Sequence, residues 1–221
     1  MVLPFIICFA IWLERRNFVI WLLGNTRQNL INAEYLYIIY YMLYTYKELI
    51  KKYKSNYYIN KALANRKIYK IDSYIYSNER YVDYLLIINK KYPKVIFTGD
   101  SAYYYYGLTT YVPDKYYVAT SRKDTKIVNS KLKQSYIPED RFNIGVSSLK
   151  VNNINIKIYD KERLLIDLIR KSDSLPFDYY KEIINNYRLI KDKLDMKKIS
   201  SYLKHYNSKK KIFEAIQKEV Y

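Results

Sequence analysis

Between Thr45 and Ser77 the apolar residues recur first at helical and then at strand spacing, and that order leaves few folds open. Thr45 with Glu48 three residues on has the spacing of a capping box. Behind it Leu49 and Ile50 give a helix one apolar side while Lys47, Lys51 and Lys52 stay wet. Ser55 is placed to cap a second helix, from Asn56 to Asn65. Its Ile59 and Leu63 stand one turn apart with Ala62 beside them, so one stripe packs while Asn56, Tyr57, Asn60, Lys61 and Asn65 face outward. Arg66 and Lys67 end that helix. Ile68 to Ile71 and Tyr74 to Tyr76 then alternate around Asp72 and Ser73, the pattern of a hairpin with a basic, Tyr-rich face.

Two short helices followed by a ribbon are the parts of a small winged helix-turn-helix. A helix that shows amides, a hydroxyl and a cation on one face suits a major groove, where Asn pairs bidentately with adenine and Lys reaches guanine or phosphate. On this reading Asn56, Asn60 and Lys61 read bases, Tyr57 and Asn65 share their face, and Arg66, Lys67 and Lys70 hold phosphates beneath the wing. Any small lysine-rich helical hairpin has a similar pattern, so the charge of the whole chain has to be weighed with it.

The 221 residues are 50% hydrophobic and 27% charged, enough apolar content for one large or two small domains and too much for a disordered chain. A formal net charge of +18 exceeds what solubility requires and favours polyanionic partners, nucleic acid before an anionic membrane surface. An AT-rich coding sequence also raises Lys, Ile, Asn and Tyr together, but such bias does not gather helix, helix and ribbon in one segment. The single cysteine, Cys8, excludes an internal disulfide or a cysteine metal cluster. The lone His205 cannot by itself build a zinc site or a Ser-His triad.

Residues 1–41 differ from the rest. Val2 to Leu13 is apolar but only about half a bilayer span, Glu14-Arg15-Arg16-Asn17 interrupts it, and the arginines follow the apolar run instead of preceding it as in a signal peptide. Three readings stand: a membrane anchor with a charged break, an extra helix from Asn32 to Tyr41 that completes the winged module, or upstream sequence read in frame before a start at Met42. The last is preferred, because the pattern of a compact domain begins just after Met42.

After Ser77 a second domain is expected from about Asn78. Arg80 to Lys91 reads as a helix stopped by Pro93, with Val82, Leu85, Leu86 and Ile88 or Asn89 on its inner side. Val95 to Thr98 reads as a short strand. Asp100 or Ser101 is placed to cap a helix carrying Ala102 and the four tyrosines Tyr103 to Tyr106, with Gly107 ending it in the left-handed conformation. Strands are expected at Tyr116 to Ala119, Gln134 to Ile137, Val146 to Val151 and Ile154 to Tyr159, the last two joined by an Asn152-Asn153 turn. Asp160 then caps a helix with Leu164, Leu165, Leu168 and Ile169 inward, and three more helices follow near Phe177 to Leu189, Asp195 to Tyr206 and Lys210 to the end. The expected class is α+β: a short winged helix-turn-helix over 42–77, then a mixed domain over 78–221 that closes in a helical cluster.

The run Phe97-Thr98-Gly99-Asp100-Ser101-Ala102 with Tyr103 to Leu108, followed by Val112-Pro113-Asp114-Lys115 and Tyr116 to Thr120, resembles the core motif of the AbiEi family. These are antitoxins and transcriptional regulators of abortive-infection, type IV toxin–antitoxin systems. Ile158 to Leu165, containing Asp160, Glu162 and Arg163, and Leu175 to Glu182 match as well, in order, so the likeness spans about Tyr44 to Tyr221. The resemblance implies a cytoplasmic regulator that represses its own operon through an N-terminal winged helix-turn-helix. It also implies a C-terminal domain that neutralises a neighbouring nucleotidyltransferase-like toxin, with or without direct contact. Ser101, Ala102, Gly107, Leu108, Asp114, Thr120, Asp160, Glu162 and Arg163 are the positions that carry the motif, in a structural or an antitoxin role. Family members with a full winged module have a further helix ahead of the pair, which here rests on Asn32 to Tyr41.

The residues themselves speak against catalysis. A nucleotidyltransferase wants Gly-Ser followed by two carboxylates at alternate strand positions to hold Mg²⁺. This chain has Gly99, Ser101 and Asp114, but Tyr116 stands where the second carboxylate belongs. A metal-dependent nuclease wants an acid two residues before a lysine on one strand, and Asn155 precedes Lys157. Asp160 is expected as a cap, with Glu162 and Arg163 on the wet side of the helix or in a structural ion pair. Gly24, Gly99, Gly107 and Gly145 are isolated, so no Gly-rich phosphate loop is formed. The expected partners are duplex promoter DNA and the toxin, with no cofactor, no metal, no small-molecule substrate and no membrane. Two rival readings are a protein-interaction module that binds no DNA and a degenerate nucleotidyltransferase-like enzyme.

Overall fold

In the computed structural model, which describes residues 42–221, Thr45 is at once the last residue of a strand and the cap of a helix. The Glu48 carboxylate accepts the Thr45 N–H at 2.7 Å, and Thr45 Oγ1 accepts the Glu48 N–H at 3.3 Å, the reciprocal box that the spacing predicts. Strand β1 (Leu43–Thr45) therefore passes straight into α1 (Tyr46–Tyr53), and α2 (Asn56–Ala64) follows after two residues. Strands β2 (Tyr69–Asp72) and β3 (Ile75–Ser77) form the expected hairpin. β3 is the central strand, antiparallel to both neighbours in the order β1-β3-β2, and all three of its residues are buried. β1 is not legible in the sequence, because three residues carry no measurable period and become a strand only by pairing with β3. Leu49, Ile59, Ala62, Ile68 and Tyr76 make the core of this unit, with Leu63 half-buried against them. The helix expected at Asn32 to Tyr41, and every reading of residues 1–41, lies outside the described residues.

Asp83 Oδ1 accepts the Leu85 N–H at 2.9 Å, so the helix expected from Arg80 begins only at α3 (Tyr84–Lys91). Its buried residues are Leu85, Ile87 and Ile88; Leu86 is half-buried. α3 contacts β1 and β3, and the chain divides into two compact units after Lys91, whereas sequence pattern alone places the boundary near Asn78.

The second unit, residues 92–221, is built on a five-stranded mixed sheet in the order β6-β5-β4-β8-β7. Its strands are β4 (Ile96–Phe97), β5 (Tyr116–Ser121), β6 (Leu132–Ile137), β7 (Val146–Val151) and β8 (Ile154–Tyr159). The β4/β8 and β5/β6 pairs are parallel, and the β4/β5 and β7/β8 pairs antiparallel. Asn152 and Asn153 turn between β7 and β8 with φ of 48° and 63°, which suits the amide residues that tolerate left-handed backbone. Helix α4 (Gly99–Tyr105) begins one or two residues before the expected caps, because extended Thr98 takes the cap position. Of its tyrosines Tyr103 is buried and Tyr104 exposed. A short α5 (Glu139–Phe142), which the sequence did not announce, precedes β7. Helices α6 (Lys161–Arg170), α7 (Phe177–Leu189), α8 (Met196–Leu203) and α9 (Lys209–Glu219) complete the unit. Among the described residues the fold is thus α+β, with nine α-helices and two sheets.

Asp160 caps α6 as expected, its Oδ1 accepting the Arg163 N–H at 2.9 Å. The wet side expected for Glu162 and Arg163 does not exist. α4, α8 and α9 all pack on α6, so Glu162 is 8% and Arg163 only 1% exposed. The ion-pair alternative holds for Arg163, whose Nε lies 3.0 Å from Asp167 Oδ2. Glu162 instead accepts the Asp195 N–H at 3.0 Å, ahead of α8.

Gly145 lies against this arrangement with φ of +71°, and a Cβ there would come within 2.6 Å of Arg163 Cβ and 2.9 Å of Asp160 Oδ1. Gly107, which ends α4 at φ of +67°, has open space where its Cβ would stand. Gly145→Ala is therefore expected to cost about 2–4 kcal/mol, from clash plus left-handed strain, and Gly107→Ala about 1 kcal/mol, from strain alone. Urea unfolding of the two variants checks the difference; equal costs would mean that the Arg163 side of the helix yields.

Candidate nucleic-acid interface

The face that α2 presents follows from which residues it buries. Ile59 and Ala62 are buried and Leu63 is half-buried. At about 3.6 residues per turn Tyr57, Lys61 and Ala64 then lie opposite them, flanked by Asn60 and Asn65. Asn56, Tyr57, Asn60, Lys61 and Asn65 are all exposed, Tyr57 at 67%. Asn56 stands at the edge of this face, and its side-chain oxygen accepts a hydrogen bond from the Tyr46 hydroxyl. Its amide is thereby tied to α1, which leaves Asn60 and Lys61 as the better-placed readers. Ser55 holds the cap position, but its hydroxyl makes no capping hydrogen bond.

The end of α2 brings Lys67 beside Lys61 and Asn65. Lys67 N–H donates to Ala62 O at 2.9 Å and Arg66 N–H to Leu63 O at 3.0 Å, a Schellman closure with Arg66 at φ of +55°. Glycine is the usual residue there. Lys54 ends α1 in the same left-handed region, at φ of +67°. Arg66, Lys67 and Lys70 are exposed, and Tyr74, also left-handed, stands 73% exposed in the turn of the hairpin. A groove of about 370 Å³ between the two helices is lined by Lys52, Tyr58, Lys61, Asn65 and Lys67 among others.

From Leu49 to Ile71 there are seven Lys or Arg residues and no Asp or Glu. The acids at either end of that stretch are already neutralised: Lys90 Nζ is 2.8 Å from Glu48 and Lys91 Nζ 3.1 Å from Asp72. The hydrogen bond from Lys90, and next that from the Thr45 N–H, hold the Glu48 carboxyl below its ordinary value. Sequence alone shows the lysines; it does not show that α3 supplies the partners which silence the two nearby acids.

The motif residues of the second unit serve mainly to pack. Ser101 Oγ accepts the Tyr117 N–H at 2.8 Å and lies 3.4 Å from the Lys115 carbonyl, and Ala102 and Leu108 are buried. Thr120 is buried with its Oγ1 accepting from Gln134 Nε2 at 2.8 Å. Gly107 and Asp114 are the exposed members of the group. Pattern reading missed Asp167, Tyr206, and Glu182, whose carboxylate accepts from Thr109 and from both Thr110 N and Oγ1. These are long-range contacts without a local period. Among the described residues there is no group of three or more His, Cys, Asp or Glu placed to hold a metal ion, and no helix is long and apolar enough to cross a membrane. No known family model matches the chain, and no curated protein matches it.

Two outcomes follow for the first unit. Arg66→Gly, which relieves the left-handed residue, is expected to raise its stability by about 0.5–1 kcal/mol, read from the urea midpoint. Because the folded Glu48 carboxyl titrates below its unfolded value, its contribution is present above about pH 4.5 and disappears as pH falls through the lowered value. Glu48→Gln should therefore flatten the acid limb of the stability profile, and an unchanged limb would show that the Lys90 contact contributes nothing.

Proposed function

We propose that this chain is a non-enzymatic, DNA-binding regulator of the antitoxin type, with the first unit acting on promoter DNA and the second countering a nucleotidyltransferase-like toxin. The observation that carries the DNA reading is the acid-free stretch from Leu49 to Ile71, on which all eight of Asn56, Tyr57, Asn60, Lys61, Asn65, Arg66, Lys67 and Lys70 are solvent-exposed. The arrangement of a strand, two helices and a hairpin, with sheet order β1-β3-β2, is what a winged helix-turn-helix requires after its first helix. On this reading α2 enters the major groove. Asn60 and Lys61 meet base edges, with Asn65 beside them, and Arg66, Lys67 and Lys70 neutralise phosphates. The antitoxin part rests on the resemblance of the motif runs to the AbiEi family, and the absence of catalysis on Tyr116 in place of a carboxylate and on a Ser101 hydroxyl engaged by backbone.

A second reading, a protein-binding face, draws on the exposed Tyr57 and Tyr58, at 67% and 55%, which pack edge to face at 5.3 Å on α2. Aromatic anchors of this kind serve interfaces and bases equally. The salt dependence separates the two, since phosphate contacts release counterions and protein anchors do not.

In a gel shift with the chain's own promoter, Asn60→Ala with Lys61→Ala is expected to weaken binding by about tenfold or more and to relax the preference over random duplex. Lys67→Ala should weaken both duplexes alike and reduce the slope of log affinity against log salt by about one. Unchanged promoter binding by the Asn60/Lys61 variant removes α2 as the reading helix.

A further inference from the structure

The second unit holds a basic cleft that plays no part in the reading above. It encloses about 390 Å³ and is lined by Arg141 of α5, Arg170 at the end of α6, and His205, Tyr206 and Ser208 between α8 and α9, with Asp140 among the lining residues. That volume lies within the range of small-ligand sites. Three guanidiniums surround the Tyr206 ring: Arg170 at 4.9 Å, Arg141 at 5.1 Å and Arg163 at 5.6 Å from its centroid.

The charges there do not balance. Asp167 engages Arg163 at 3.0 Å and Arg170 at 3.3 Å, so one carboxylate serves two guanidiniums. Among the described residues Arg141 has only Asp140 as an ion-pair partner, whose oxygen is 3.8 Å from Nε and whose side chain is 62% exposed. Arg141 Nε is itself buried and makes no hydrogen bond among the described residues, although buried N–H groups are ordinarily paired. Ser208 starts α9, an eleven-residue helix, without a side-chain cap bond, and Lys209, Lys210 and Lys211 occupy its first turn beside the cleft, Lys210 with its Nζ 4.0 Å from Glu214. Cations at the positive end of a helix are unfavourable unless an anion joins them.

We propose that this cleft binds a phosphate monoester dianion, such as the terminal phosphate of a mononucleotide. Guanidiniums offer forked N–H donors that match phosphoryl oxygens in pairs, and His205 and the Ser208 hydroxyl add donors from the facing segment. A dianionic phosphoryl group, with three terminal oxygens, accepts from such donors more strongly than a singly charged carboxylate or phosphodiester does. The cleft thus distinguishes a free phosphate monoester from the backbone of nucleic acid.

His205 is the only histidine of the chain, so its imidazole proton resonances report on the cleft without assignment by mutation. Titrating the full chain with inorganic phosphate, at fixed pH and with ionic strength held by chloride, is expected to move them saturably at about millimolar concentration or below. Acetate should leave them in place, and adenosine monophosphate should bind at least as tightly as phosphate. Arg170→Gln is expected to weaken phosphate at least tenfold and Arg170→Lys less, while Lys150→Gln on β7 titrates as the parent chain does. The idea is overturned if phosphate produces no saturable movement, if acetate acts equally, if Arg170→Gln titrates normally, or if duplex DNA moves the resonances where phosphate does not. The titration of the unaltered chain decides the matter even if the Arg170 variants fail to fold.

Discussion

A guanidinium enclosed in protein has to be satisfied almost completely, and Arg163 is 1% exposed at the centre of the second unit. Its Nε donates to Asp167 at 3.0 Å, its Nη1 to the carbonyls of Arg141 at 2.8 Å and Ile144 at 3.2 Å, and its Cζ lies 4.7 Å from the Tyr159 ring centroid. Burial opposes the charge, but Asp167 and the neighbouring tyrosines outweigh it and the guanidinium is held above its ordinary value. Those carbonyls belong to α5 and the segment that leads into β7, while Tyr159 ends β8. One side chain of α6 therefore fixes where a short helix and two strands must stand. Removing one partner of such a pair leaves the other charged and dry, at about 3–5 kcal/mol, so the arrangement behaves as a unit. Gly145 has no Cβ because Arg163 occupies that space.

The first unit follows an opposite rule, keeping its charges in water. Its core is small, and the seven cations between Leu49 and Ile71 have no acid among them to offset their repulsion. Two of those cations also occupy left-handed positions at which glycine costs less, Lys54 and Arg66. Each costs roughly a kilocalorie relative to glycine. A fold selected for stability alone would place glycine at such helix ends and scatter acids between the lysines. The proposed duplex-binding role supplies a reason for both departures, because phosphates offset the repulsion and a side chain at the helix end reaches them.

What was legible in the sequence was what is local. The Thr45–Glu48 box, the Ile59–Ala62 stripe, the Asn152-Asn153 turn and the start of α7 after Pro176 each depend on residues within one or two turns of one another. β1 depends on β3, about thirty residues away, and no period of three residues betrays it. The burial of Glu162 and Arg163 depends on α8 and α9, which arrive some thirty to fifty residues later. Charged residues on an amphipathic helix read as its wet side until another element covers them. The same limit applies at the candidate interface. The outward residues of α2 were legible from its own stripe, whereas the tie between Asn56 and Tyr46 and the pairing of Glu48 and Asp72 with α3 were not.

Compositional bias toward lysine, set by the coding sequence, would raise the charge of every surface alike, and here the distribution is uneven in two ways. Acids are present close by in the chain at Glu48 and Asp72, yet none falls between them, and both are paired to Lys90 and Lys91 rather than to the lysines of α1 and α2. Three arginines, whose rigid forks tolerate desolvation better than an ammonium does, stand around one tyrosine of the second unit, at Arg141, Arg163 and Arg170. A bias toward lysine does not by itself clear acids from one open face or set three guanidiniums about one ring. The two distributions match what the surfaces would be required to do: attract an extended polyanion through exposed cations in one unit, and hold a compact oxyanion through directed donors in the other.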